Sequence, residues 1–339
     1  MSLLRASYLS FLFPFFLFGS LPIEAQKGMM PDTLRVMFYN VENLFDVRDD
    51  SLKEDDDFLP QGFKHWTFGR YRNKLVAIAR VVAAVGDHRL PDLVGLCEVE
   101  NDSVLYDLTR RTPLARAAYD YLITSSSDRR GVDVALLYRK GRFKPLNSRC
   151  IPVRLESRPT RDILHVTGLL PNADTLDVFV VHFPSRHGGT RQSEPRRLVA
   201  SQTLRQAVDS LALVRQQAKM VVMGDFNASL RETFWTKLFP DTLLVDLLDP
   251  KKDYSYSYQG EKELLDHLLL SPSLLRSDGA TATSRRLARV AEYPFLLTTD
   301  PMYGFPVPFR TYHGPKYLGG FSDHLPVTVD LLMEYLYEE

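Results

Sequence analysis

Short, almost continuously apolar segments alternate along this chain with longer amphipathic ones. "TLRVMFYN" from Thr33, "DLVGLCEVE" from Asp92, "VDVALLYRK" from Val132, "ILHVTGLL" from Ile163, "LDVFVVHFP" from Leu176, "KMVVMGDFN" from Lys219, "LLDHLLLS" from Leu264 and "HLPVTVDLL" from His324 read as strands. Several are apolar on both faces, which predicts covering layers on each side. "RYRNKLVAIARVVAAV" puts Leu75, Ile78, Ala79, Val82 and Val85 on one stripe and predicts a helix, as does "SEPRRLVASQTLRQAVDSLALVRQQ" from Ser193. Strands and helices mixed in this way indicate a layered α/β or α+β domain. No fixed-period repeat, low-complexity tract or Gly/Ser linker interrupts the pattern, so one catalytic-sized domain over residues 30–339 is expected.

Composition sharpens this picture in three ways. With 339 residues, 45% hydrophobic and 11% aromatic, the chain can bury a large core, so disorder is not the default expectation. Basic and acidic residues balance at 42 each, so any surface that binds phosphate must be local. The N-terminus carries Arg5, an apolar run from Leu9 to Phe18 and a small-residue end at Ala25, the layout of a secretory signal peptide over residues 1–25. The expectation is an exported protein, periplasmic or secreted, with no integral membrane span after removal of the signal. Cys97 and Cys150 would be permitted to pair in an oxidising compartment, although Cys97 sits in a core-like strand where a free thiol is ordinary.

Polar residues gather where the strands stop. Asn40 and Glu42 end the first strand, Glu98 the second, His182 and then Asp225 with Asn227 two later ones; Asp266 opens another, and Asp323 and His324 precede the last. Taken singly, Asn40 is an ordinary cap, Glu98 a solvated strand end and "GDFN" a tight turn. Taken together, every member lies at an element boundary, where ligands sit on layered sheets. Carboxylates, amides and imidazoles without cysteine suit a hard cation, Mg²⁺ or Mn²⁺.

"YNVENLFD", "GLCEVE", "GVDVALLY", "VHFPSR", "GDFNA", "LLDHLLLS" and "GGFSDHLPV" resemble, in sequence and order, the endonuclease/exonuclease/phosphatase superfamily with its deoxyribonuclease I-like fold, and within it an exported bacterial group sharing "YNVENLFD". The resemblance covers Leu34 to Val329. It implies a four-layer sandwich of two packed, mainly antiparallel sheets flanked by helices, and metal-dependent hydrolysis of a phosphate ester. It further implies that Glu98 is the main metal ligand with Asn40 beside it, and Asp323 a second metal or water contact. Asp225 corresponds to the residue that orients or deprotonates water, Asn227 to the amide beside it, and His324 to the imidazole on the scissile phosphate, oriented by Asp266. His182 resembles the other phosphate-side histidine, and the resemblance implies Asp133 as its carboxylate partner. Either Asp225 or His324 reaches the water by pattern; Asp225 is favoured as the base.

Flanking segments bear on the substrate. Arg186, His187, Arg191, Arg196 and Arg197 form a local basic cluster after His182, and no G-x-S-x-G elbow exists to support an esterase. Arg310 and Tyr312, upstream of Asp323, are candidate substrate contacts. "YSYSYQG" from Tyr254 reads first as an edge strand, although a tyrosine row also suits base stacking. The acidic "DVRDDSLKEDDDF" lacks the glycine and glutamate of a calcium loop and reads as solvated, as does the Glu42 side chain; His267 should point away from Asp266. The expectation is a phosphodiester hydrolase, endonuclease-like, acting on DNA or RNA. Alternatives are a sphingomyelinase-like or inositol-phosphate enzyme, for which "AEYPFLLTTDPMYGFPVPF" would face the membrane, and a non-catalytic binding protein on the same fold.

Overall fold

The computed structural model describes residues 32–334 except 157, 187, 230–232 and 241, so the signal-like N-terminus and His187 lie outside the described residues. One sheet runs in the order β13 (Thr281–Ala282), β19 (Val327–Met333), β1 (Asp32–Leu44), β2 (Leu93–Val99), β4 (Asp133–Arg139) and β3 (Tyr119–Ile123), with β14 (Ala288–Val290) also on β19. The other runs β5 (Lys144–Ile151), β6 (Ile163–Leu169), β7 (Thr175–His182), β8 (Lys219–Asp225), β12 (Asp266–Leu270) and β9 (Val245–Asp246). Only β1–β2 and β7–β8 pair in parallel within them; the other pairs are antiparallel. Hairpins β10 (Tyr256–Tyr258) with β11 (Glu261–Glu263), β15 (Leu297–Thr299) with β16 (Pro306–Pro308), and β17 (Tyr312–His313) with β18 (Lys316–Tyr317) decorate the rim.

The doubly apolar strands are explained by three separate cores. Val36 and Phe38 of β1 belong to the layer between the sheets with Val178, Val180, Val221 and Met223. Met37 and Tyr39, one position along, turn the opposite way and pack with Leu75, Ile78 and Leu105 of α1 (Phe68–Val85) and α2 (Asp102–Arg110). On the far side Phe179, Val181 and Val222 lie under Leu204, Val208 and Trp235 of α3 (Thr190–Val214) and α4 (Thr233–Leu238). Each such side chain contributes about 1.5–3 kcal/mol on burial, so the central strand positions tolerate little polarity and polar chemistry is displaced to the strand ends.

Elements absent from the apolar pattern have physical reasons. β5 is an edge strand whose residues are mostly exposed, and α2 is a nine-residue helix with a largely polar sequence. The acidic loop is not wholly solvated: Asp55 is buried and accepts the Asp50 amide, and Asp46 is buried and accepts the amide of Arg48. His267 does face away from Asp266, with Nδ1 3.0 Å from Asp246 Oδ2. Cys97 is buried, Cys150 exposed, and both are free thiols. Among the described residues no helix is long and apolar enough to cross a membrane.

Two stability predictions arise from the second sheet. A β-carbon on Gly224 would stand 2.3 Å from both Cγ2 and the carbonyl oxygen of Val181, and the backbone of a neighbouring strand cannot step aside. Gly224→Ala is expected to cost about 2–4 kcal/mol, read as a lowered denaturant midpoint. At the other end of β7, Asp177 is fully buried against His165 Nε2 at 2.9 Å, Thr167 Oγ1 at 2.6 Å and the Arg215 guanidinium. Burial alone would raise its pKa, but these partners hold it below the ordinary carboxylate value. The folded state therefore binds fewer protons than the unfolded one as pH falls below about 4, and stability is lost there. Asp177→Asn should flatten that acid limb and lower stability at neutral pH by about 3–5 kcal/mol; an unchanged urea midpoint at pH 7 would refute this.

Candidate active site

Strand register, rather than any single motif, assembles the polar residues. Parallel pairing sets His182 of β7 beside Asp225 of β8, and antiparallel pairing sets Asp266 of β12 on the other side of Asp225. From the first sheet, Asn40 of β1 reaches across so that its Nδ2 donates to Asp225 Oδ2 at 3.0 Å. The Ser322 hydroxyl donates to the Asn40 carbonyl at 2.7 Å, which ties the segment carrying Asp323 and His324 to the same strand end. The result is an open cleft of about 580 Å³ lined by, among others, Asn40, Glu98, His182, Asp225, Asn227 and His324.

Asp225 is the hub. Its Oδ1 accepts the Asn227 amide at 2.8 Å, while Oδ2 lies 3.7 Å from His182 Nε2 and 3.8 Å from His324 Nε2. Burial raises its pKa, as does Asp266, and the nearby His324 charge with the Asn40 and Asn227 hydrogen bonds limits the rise to about 6. His324 has Nδ1 2.6 Å from Asp266 Oδ2, which leaves Nε2 facing the cleft. Burial would lower its pKa, but Asp266, Asp225 and Asp323 reverse this and lift it to about 10, so the ring is an imidazolium at neutral pH. His182 is the opposite case: burial first, then Arg161 and Arg130, hold its pKa well below normal and keep the ring neutral.

Backbone strain marks the same place. Glu42, Asn43, Glu98 and Asn227 all have positive φ without being glycine. Those in β1 and β2 fall where the strand registers slip, between Asn40 and Leu44 and between Cys97 and Val99. Bulges of this kind re-aim side chains at a sheet edge, here turning Glu98 into the cleft with Oε2 accepting the Asn43 amide at 2.9 Å and Oε1 3.9 Å from His182 Nε2.

Several expectations need correction. Asp133 is not the partner of His182: its carboxylate is taken by the Thr124 hydroxyl at 2.6 Å and the Ser126 amide at 3.0 Å, and among the described residues His182 Nδ1 has no partner. Tyr312 is a buried packing residue whose hydroxyl donates to the Lys64 carbonyl and whose ring lies against Trp66 and Tyr317. Glu42 is buried, not solvated; it accepts the amides of Thr311 at 2.6 Å and Tyr312 at 3.2 Å. Burial and the Asp323 charge push its pKa up to about 7 against the pull of Lys74 and Arg310. Arg310 pairs with Asp323 at 2.9 Å, and Arg186 makes a two-pronged pair with Glu263 while lining the cleft. The tyrosine row is both a hairpin strand and cleft wall, with the Tyr256 ring 4.9 Å from that of His324.

Other residues at the site had no signal in the sequence. Arg130 lies 3.3 Å from Glu98 Oε1, and Asn43 shares the cleft wall. Lys74, fully buried in a helix whose charged positions read as solvent-facing, donates to Thr311 Oγ1 and the Phe321 carbonyl beneath Glu42.

The donors fit a hard cation. Two triplets bring ligand atoms within 4.8 Å of one another: Cys97 with His182 and Asp225, and Asp225 with Asp266 and His324. In the second, His324 Nδ1 and Asp266 already satisfy each other; in the first, burial holds the Cys97 thiol protonated. Glu98, Asn40, Asp225 and Asp323 line one cleft, Asn40 and Asp225 buried and Glu98 and Asp323 partly exposed, and offer oxygen donors of the kind Mg²⁺ or Mn²⁺ takes.

Comparisons agree with this architecture. A family model described as "Endonuclease/Exonuclease/phosphatase family" matches residues 35–333. Among solved structures, an endonuclease/exonuclease/phosphatase family protein from Bacteroides thetaiotaomicron aligns over 90% of this chain and 99% of its own, at 16% identity and TM-score 0.56. A mannosyl-6-phosphatase from the same organism covers 88% and 99% at 16% identity and TM-score 0.56. The human Nocturnin catalytic domain with bound sulfate covers 89% and 97% at 18% identity and TM-score 0.54. At such identities these likenesses establish the fold. No curated protein matches the chain by sequence.

Proposed function

The chain belongs to the endonuclease/exonuclease/phosphatase family, and from that premise we propose that it is an exported, divalent-metal-dependent phosphoric ester hydrolase that cuts phosphodiester bonds in DNA or RNA in the manner of an endonuclease. The observation that carries the reading is Asp225, held between an amide donor, Asn40, and two imidazoles in opposite protonation states.

Above pH 6 Asp225 is a carboxylate able to take a proton from water, while His324 offers an Nε2–H to a phosphoryl oxygen. Asp266 keeps that ring in the required orientation, and neutral His182 presents Nε2 beside the same carboxylate. Asn227 positions Asp225 through its backbone amide and anchors its own side chain on the Phe183 carbonyl at 3.2 Å. Water attacks phosphorus as Asp225 removes its proton, and the ester P–O bond opposite breaks, its oxygen leaving with the bonding electron pair and taking a proton from solvent. Glu98, with Asn40 and Asp323 beside it, would hold Mg²⁺ or Mn²⁺, and a cation there would supply charge that neutralises the phosphoryl group during hydrolysis. Tyr256 and Tyr258 on the cleft wall support a nucleic-acid substrate through stacking. A phospholipid or inositol-phosphate substrate is the second reading, favoured by the β15–β16 hairpin, whose tip exposes Met302 and Tyr303.

Hydrolysis of bis(p-nitrophenyl) phosphate with Mg²⁺, with Mn²⁺ and with chelator tests the reading. Turnover that needs metal is expected, followed by cleavage within a panel of DNA, RNA, sphingomyelin, inositol phosphates and mannose 6-phosphate, with nucleic acid preferred. No turnover of any of these by folded protein would sink it in favour of a binding role.

A further inference from the structure

Helix α1 carries four basic side chains and buries one of them. Arg72 and Arg80 are exposed and Arg70 is half-buried, whereas Lys74 is 2% exposed and sends its Nζ to the Thr311 hydroxyl and, at 2.6 Å, to the Phe321 carbonyl. Both acceptors are uncharged, and they lie on opposite limbs of the segment that runs out through the β17–β18 hairpin and back. Thr311 is claimed at every polar atom: Lys74 takes its hydroxyl, the buried Glu42 accepts its amide at 2.6 Å, and its carbonyl accepts the Leu318 amide at 2.9 Å. The limbs also meet directly. The Phe321 amide donates to the Phe309 carbonyl, and a β-carbon on Gly320 would stand 2.1 Å from that carbonyl oxygen.

What the two limbs carry gives these contacts a use. The Phe321 carbonyl precedes Ser322, whose hydroxyl donates to the Asn40 carbonyl at 2.7 Å and accepts the His324 amide at 3.1 Å. Arg310, on the other limb, pairs with Asp323 at 2.9 Å. One ammonium group therefore sets the separation of the limbs, and with it where Asp323 and His324 stand relative to Asn40 and Asp225. We propose that Lys74 is a positioning residue for the hydrolytic site, fixing Asp323 and His324 through Phe321 while Glu42 fixes the facing limb through Thr311. Stability alone gives no reason for a lysine here, because taking an ammonium out of water is costly and an apolar residue of similar volume at a buried ionic position is often neutral or stabilising. An apolar residue cannot hold a hydroxyl on one limb and a carbonyl on the other at hydrogen-bonding distance. The effect on hydrolysis rests on the phosphoesterase reading; the placement of Asp323 does not.

The test compares Lys74→Met, Thr311→Val and Thr311→Ser with wild type in the full chain, by steady-state hydrolysis of bis(p-nitrophenyl) phosphate below the melting transition and by Mn²⁺ affinity from electron paramagnetic resonance. Lys74→Met should lower kcat per folded molecule by about 10–100-fold and weaken Mn²⁺ binding at least about tenfold, the range for groups that orient others at a metal site. KM should stay within about threefold, since what is lost is the alignment reached in the transition state. Thr311→Val should act in the same direction, and Thr311→Ser, which keeps the hydroxyl, should match wild type. Wild-type kcat in folded Lys74→Met, a loss no larger than the fall in folded fraction, or equal losses in Thr311→Val and Thr311→Ser overturns the proposal. If Lys74→Met does not fold, the two Thr311 variants decide by the same criteria. A wild type without turnover removes the enzymatic reading, and Mn²⁺ affinity then decides: weaker binding in Lys74→Met and Thr311→Val but not in Thr311→Ser upholds the positioning of Asp323, and unchanged or absent Mn²⁺ binding overturns it.

Discussion

Asp225→Asn is expected to lower kcat on a phosphodiester by about 10²–10⁴-fold, the range of a lost general base, while leaving the protein folded and no less stable at neutral pH. The two halves of this result come from one cause. Asp225 sits at 2% exposure with its pKa pushed up to about 6, so the ionised form that catalysis requires is the form the fold disfavours. Between the unfolded carboxylate value near 4 and that folded value, the native state holds the extra proton, and stability declines as pH rises through this window. An amide removes that decline. It also leaves either Asn40 Nδ2 or the Asn227 amide facing an NH₂ group, which sets a limit on the gain. The comparison is made by scanning calorimetry beside steady-state kinetics. Turnover within tenfold of wild type would show that Asp225 is not the base and move that role to a neighbouring group.

Glu98→Gln should produce the second large effect, on metal affinity. Gln keeps the size of the side chain and can still accept the Asn43 amide, but it loses the charge that faces the cleft beside His182. Mn²⁺ binding should weaken by at least about 10–100-fold, the penalty known for groups that merely orient ligands, and activity should return in part at high metal concentration. Unaltered Mn²⁺ affinity would exclude Glu98 as a ligand and leave its paired Arg130 as its main role.

The sequence-level reading succeeded where burial constrains residue type. β1, β7 and β8 are covered on both faces, so their apolar runs are unmistakable and the first polar residue after each, Asn40, His182 or Asp225, stands out. It failed where identity depends on which partner the fold delivers. Glu42 and Asn43 lie in a bulge with positive φ, a local geometry that no side-chain periodicity encodes. Lys74 looks like any charged residue on an amphipathic helix, and only the approach of Thr311 and Phe321 buries it. Asp133 is expected beside His182 by resemblance and Tyr312 at the substrate from its place upstream of Asp323, and hydrogen bonds to their own surroundings claim both instead.

The central place of β19 has a consequence for biosynthesis. It pairs along nearly its whole length with β1, from Asp32 opposite Met333 to Phe38 opposite Val327, while β13 and β14 pair with it in turn. Asp323 and His324 lie immediately before it. As a chain is translated, β1 therefore waits with an unfilled edge until residues 327–333 have emerged, and contacts so distant in sequence close late. A product terminated before His324 lacks both the imidazolium and the strand that seats it, so the arrangement around Asp225 is assembled only once residues 324–333 have been made.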